Sequence, residues 1–159
     1  MTPQELRAHK IADKNLREAP RFEKCKKGKL PKPFKAMGGL RMHTTGLLKV
    51  SNTHSAIFFW RDGEILTDTA FIGHLMCHLN NGDLSPIFEF HWHPSHKGFH
   101  CKVPCKTQLN YANRMLPGAP ELNMKTKSLD PRNETDRLAL IGEFCEACGI
   151  RLGDSGQLF

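Results

Sequence analysis

Two short runs decide how this chain folds: Phe88-Glu89-Phe90-His91-Trp92-His93 and Phe99-His100-Cys101-Lys102-Val103. In both, apolar side chains alternate with polar ones. Successive side chains of a strand point to opposite faces. Phe88, Phe90 and Trp92 therefore share one face, and Glu89, His91 and His93 the other. In the second run Phe99, Cys101 and Val103 stand against His100 and Lys102. Burying both apolar faces in one core needs an even-length connection, because a one-residue slip turns a strand over. The simplest is a loop over residues 95–98, which pairs His93 with His100. The result is a hairpin carrying Glu89, His91, His93, His100 and Lys102 on one polar face.

That face is rich in chemistry. Six of the nine histidines and three of the six cysteines lie between His74 and Cys105. A sheet face left to water usually mixes small hydroxyl and charged residues. Here it gathers three imidazoles, a carboxylate and an ammonium. Residues at i and i+2 of a strand can converge on one metal, with a cross-strand neighbour as third ligand. Three histidines and an open position form a catalytic zinc arrangement, so His91, His93 and His100 are candidate zinc ligands. The same side chains suit metal-free acid–base chemistry, since imidazole titrates near neutrality. Glu89 is then orienter, base or ligand, and Lys102 stabilises developing negative charge. The plain alternative is half-exposed packing residues.

Working outward, the remaining pattern reads as α+β. The segment Thr2-Pro3-Gln4-Glu5 carries a capping box and a proline suited to the first helical position, so a helix starts there and runs to before Pro20. Residues 21–35 form a basic, proline-broken arm with Phe22 and Phe34 as tethers. Strands follow at 47–50, 56–61 and 64–66, with Asp62-Gly63 as a hairpin turn. In residues 68–80, Phe71, Ile72, Leu75, Met76 and Leu79 fall at helical spacing, which predicts a central helix. Residues 109–128 read as mostly loop. Asp130 and Pro131 open a last helix whose stripe holds Leu138, Ile141, Cys145 and Cys148, and Gly149 ends it. The expectation is an antiparallel sheet of about five strands with N-terminal, central and C-terminal helices. Residues 1–45 form a basic helix and arm, and residues 46–159 a single α+β domain.

The 159 residues carry 23 lysines and arginines against 16 acids, a net charge of +7. Residues 1–50 hold 13 of those bases against 4 acids, and the remainder 10 against 12. The whole excess is thus in the first third. A concentrated positive segment attracts polyanions. This makes Arg21, Lys24, Lys26, Lys27, Lys29, Lys32 and Lys35 candidate nucleic-acid contacts, with RNA as the foremost partner. An acidic protein partner or a merely solvated tail stands beside that reading. The basic first twenty residues contain no apolar signal segment, and the longest apolar run, at 56–60, is too short to span a bilayer. The expected location is the cytoplasm, where cysteines are thiols or metal ligands.

Cys145-x-x-Cys148, joined by Cys101 and Cys105, makes a possible structural zinc site. Against it, Cys145 and Cys148 also fit the apolar stripe of the last helix, and buried cysteine behaves as a small hydrophobe. Cys77 reads the same way. On that zinc, the chain becomes a non-catalytic binding or adaptor module acting on a partner protein.

Three stretches carry a resemblance: Ile57-Phe58-Phe59-Trp60-Arg61-Asp62-Gly63, Phe88-Glu89-Phe90-His91-Trp92-His93-Pro94, and Gly98-Phe99-His100-Cys101. Together, over residues 56–105, they resemble small histidine-rich toxins of bacterial toxin–antitoxin pairs. The basic arm, the cysteine pairs and the last helix are outside that pattern. The resemblance implies an RNA-directed hydrolase with His91, His93 and His100 as active residues.

Overall fold

Thr2 and Glu5 do what their spacing requires. The Thr2 hydroxyl accepts the Glu5 backbone N–H at 3.2 Å, and the Glu5 carboxylate accepts the Thr2 N–H at 2.6 Å. They start helix α1 (Pro3–Ile11). The structure is a computed structural model and describes residues 1–26, 28–94, 98–104, 114–122 and 128–153. Helix α1 ends well before Pro20. The buried ammonium of Lys14 takes the carbonyls of His9, Lys10 and Ala12, which closes the helix end.

Eight strands follow: β1 (Asn15–Leu16), β2 (Glu23–Lys24), β3 (Met42–Lys49), β4 (His54–Arg61), β5 (Ala70–His78), β6 (Leu84–His93), β7 (Gly98–Lys102) and β8 (Arg151–Leu152). Helix α2 (Glu134–Cys148) precedes β8. Strands β2 to β7 form one antiparallel sheet in chain order, and β1 pairs with β8 in a small parallel ribbon. The fold is therefore α+β, as expected, with six strands in the main sheet and two α-helices.

The expected central helix at 68–80 is strand β5. It lies between β4 and β6, and both of its faces are covered. A strand buried on both sides has no reason to alternate, and its continuous apolar run imitates a helical stripe. No strand forms at 64–66. Instead Leu66–Asp68 makes a single 3-10 turn. Gly63 is needed there, because a Cβ would stand 2.5 Å from the Asp68 carbonyl carbon. Helix α2 starts three residues later than Pro131, with Asn133 as its cap, and stops as expected at Gly149 in the left-handed conformation. Half of the 109–128 segment lies outside the described residues, and the described half, 114–122 and 128, forms neither helix nor strand, as expected of a loop.

The two faces of the sheet differ in what covers them. Helix α2 packs on the face of Phe58, Phe71, Phe88 and Phe90, with the Phe144 ring 5.0 Å from that of Phe58. On the other face, the arm lays Leu30 and Phe34 over Ile57, Phe59 and Met76. Phe22 and Phe34 act as the expected tethers. Phe34 is 4% exposed, and Phe22 packs against the main core under the Arg137 guanidinium. Among the described residues, the arm lies over β4, β5 and the start of β6 at Leu84, and leaves the rest of the second face of β6 and all of that of β7 to polar side chains.

Candidate metal centre

The β6–β7 hairpin sets the polar face. Its register pairs Glu89 with Lys102, His91 with His100 and His93 with Gly98. The expected His93–His100 pairing is thus off by two residues. Because the side-chain period is two, the shift keeps every residue on its expected face. The partner of His100 changes, but the membership of the face does not.

Glu89, His91, His93, His100 and Lys102 therefore do come together. The His91 and His100 rings stack at 4.8 Å between centroids, and those of His93 and His100 at 5.3 Å. One ligand atom from each of the three histidines lies within 4.8 Å of the other two. All three are half-buried, with the His91 side chain 15% exposed.

Glu89 anchors this group. Its Oε1 is hydrogen-bonded to Nε2 of His91 and lies 3.6 Å from the Lys102 ammonium, while Oε2 is 3.9 Å from Nδ1 of His74. Burial pushes the Glu89 carboxyl up. The His91 hydrogen bond and the neighbouring His74, His91 and Lys102 outweigh that and bring it down to about 2. Glu89 is thus a carboxylate at any physiological pH.

His74 is the member that the sequence reading missed, because a helix at 68–80 would have carried it away from the sheet. Strand β5 sets it directly opposite Glu89. It is 7% exposed, under the Phe34 ring at 4.8 Å, and its Nε2 has no hydrogen-bond partner among the described residues. Burial pulls its pKa down to about 4, helped by His91 and Lys102 and opposed by Glu89. It is a neutral wall of the site. The sequence did signal it in two ways: His74 opens the histidine-rich stretch, and Gly73 is an interior glycine suited to close packing on a strand.

No protein-family model matches this chain, and no curated protein and no solved structure matches it.

The other candidate residues fall elsewhere. Arg21, Lys24, Lys26 and Lys29 line an open groove at the β2–β3 edge, together with Arg17 and Lys49. Lys32 and Lys35 flank Phe34, the residue packed on His74. Lys27 lies outside the described residues. Among the described residues, Cys101, Cys145 and Cys148 do not gather into a metal-holding group. The Cys101 thiol donates to the Arg114 carbonyl at 3.0 Å, and Cys145 and Cys148 are fully buried on α2. Burial pushes Cys101 up to about 11 and Cys145 to about 12. Cys105 is outside the described residues. No helix is long and apolar enough to cross a membrane among the described residues.

Proposed function

We propose that the polar face of the β6–β7 hairpin is a zinc-binding, histidine-dependent hydrolytic site for phosphodiesters, with RNA as the substrate class. One observation carries the reading: the ligand atoms of His91, His93 and His100 lie within 4.8 Å of one another on one half-buried sheet face. Three imidazoles with an open position form a zinc-binding set. A zinc ion held there supplies Lewis acidity at a phosphoryl oxygen.

The chain's own residues do the rest. Glu89 fixes the His91 ring through Nε2, and a carboxylate behind a ligating imidazole both orients it and raises its basicity. Lys102, on the same face, provides a positive charge where negative charge develops on phosphorus-bound oxygens. Phe34 and His74 close one wall and limit water. The basic groove that the arm helps to line suits a polyanionic strand. The resemblance of residues 56–105 to small histidine-rich toxins points the same way.

The test is cleavage of single-stranded RNA by the purified chain. Cleavage should stop on chelation, return with zinc, and fall about a hundredfold or more in a His91→Ala, His93→Ala variant of unchanged circular dichroism. Cleavage indifferent to both treatments would end the proposal, as would the absence of cleavage with zinc bound. A second reading rests on the stacked His91, His93 and His100 rings: direct proton transfer between imidazoles and substrate. Its mark is cleavage that survives chelation but not the double substitution.

A further inference from the structure

The helix-covered face of the sheet carries a second group of metal-ligand side chains, which the proposed reaction does not use. His54 opens β4, and Cys77 lies directly across from it near the end of β5. His9, in the last turn of α1, meets them from the helix side. Its Nδ1 is 2.9 Å from Nε2 of His54, and the ligand atoms of all three residues lie within 4.8 Å of one another.

The His54 ring is held for such a role. Its Nδ1 is 2.9 Å from the Thr53 hydroxyl and 3.2 Å from that of Ser51. When Nδ1–H donates to a hydroxyl, the Nε2 lone pair faces His9 and Cys77. Fixed partners of this kind orient imidazoles in metal sites. His54 is only 3% exposed, while His9 and Cys77 are half-buried, so the group has a solvent-facing side.

The geometry points to a second metal site: His9, His54 and Cys77 bind zinc through two nitrogens and one sulfur and cross-link helix α1 to the end of the sheet. Two imidazoles and a thiolate suit a borderline-soft ion such as zinc, with a fourth position left for solvent. Cys77 gives its thiol proton to solvent as the Zn–S bond forms, which cancels one of the two charges of the ion. That matters beside the buried Lys14 ammonium, which is bonded to the His9 carbonyl. The helix has use for such an anchor, because it contributes only Leu6 to the core.

The site is independent of the hydrolytic proposal and can be tested without it. Cobalt(II) replaces zinc as a visible probe, in the full chain carrying His91→Ala, His93→Ala and His100→Ala. One equivalent should bind with a thiolate-to-cobalt charge-transfer band, and zinc should displace it. Cys77→Ser should abolish the band, and His9→Ala should weaken cobalt binding by about tenfold or more. Iodoacetamide labelling of the unmutated chain gives a measurement that needs no variant. Saturating zinc should protect Cys77 while the half-buried Cys25 goes on reacting. Absence of the band, a band that survives Cys77→Ser, or Cys77 labelled at the same rate with and without zinc would each overturn the assignment.

Discussion

His74 shows how one buried side chain ties the stability of the site to pH. The groups facing it are Glu89 and His91 from β6 and Lys102 from β7, with Phe34 and Phe59 packed on its ring. Its pKa in the fold, about 4, is below the ordinary 6.5. Between those two values the unfolded chain binds the proton and the folded chain does not. Stability is therefore fully present above 6.5 and is lost on acidification toward 4. At pH 5 this residue alone accounts for about 2 kcal/mol of that loss by linkage. Chelator-treated protein should accordingly melt at a lower temperature at pH 5 than at pH 7. His74→Phe should flatten that dependence. Its Nε2 has no partner among the described residues and its Nδ1 stands 3.9 Å from Glu89, so a phenyl ring leaves no close hydrogen bond unmade. His54, also lowered to about 4 by burial first and then by Lys14, leaves a residual slope. Equal slopes in the parent and the variant would show that His74 is not the titrating group.

Strand β5 separates what could be read in the sequence from what could not. The polar face of β6 and β7 was legible because strict alternation survives a two-residue error of register. The membership of that face needs only the period, and the period is local. Strand β5 was illegible because helix α2 covers one of its faces and the arm the other. Leu75 and Met76 are both buried, on opposite sides, and nothing in Phe71, Ile72, Leu75 and Met76 marks the absence of a helix. Tertiary burial produced the misleading pattern, and His74 was lost with the strand. Gly73 distinguishes the two conformations by the sign of one substitution. In a helix, Gly→Ala stabilises by about 1 kcal/mol. In the strand, the new Cβ would stand 2.8 Å from Phe144 Cδ2 and 3.2 Å from Phe58 Cδ1. Gly73→Ala should therefore lower stability by about 1–3 kcal/mol through overpacking. The urea midpoint measures it, and Phe144→Leu in the same chain should recover part of the loss.

Across the whole molecule, the question is how a basic arm and a histidine site at different edges of one sheet act together. Strands β2 and β3 lie at one edge, and β6 and β7 at the other. Neighbouring strands are about 4.8 Å apart, so β3 and β6 are separated by about 14 Å. The arm bridges that distance. It leaves the edge at β2, places Leu30 and Phe34 over the middle strands, and brings Phe34 onto His74 beside the site. In the proposed function its positive charge serves as a track for the RNA strand toward the histidines. A track of this kind should govern binding and leave the chemical step alone. Replacing Arg21, Lys24, Lys26 and Lys29 with alanine should weaken RNA binding and raise KM, with kcat unchanged. Each lost phosphate contact removes about 0.7 from the slope of log affinity against log salt for a single strand, so four contacts should remove about 3. Substitutions at His91 or His93 should do the reverse, lowering kcat and keeping the slope. Should the four-alanine chain keep the full slope, those charges would be a solvated surface, and the strand would have to reach the histidines from the β7 side.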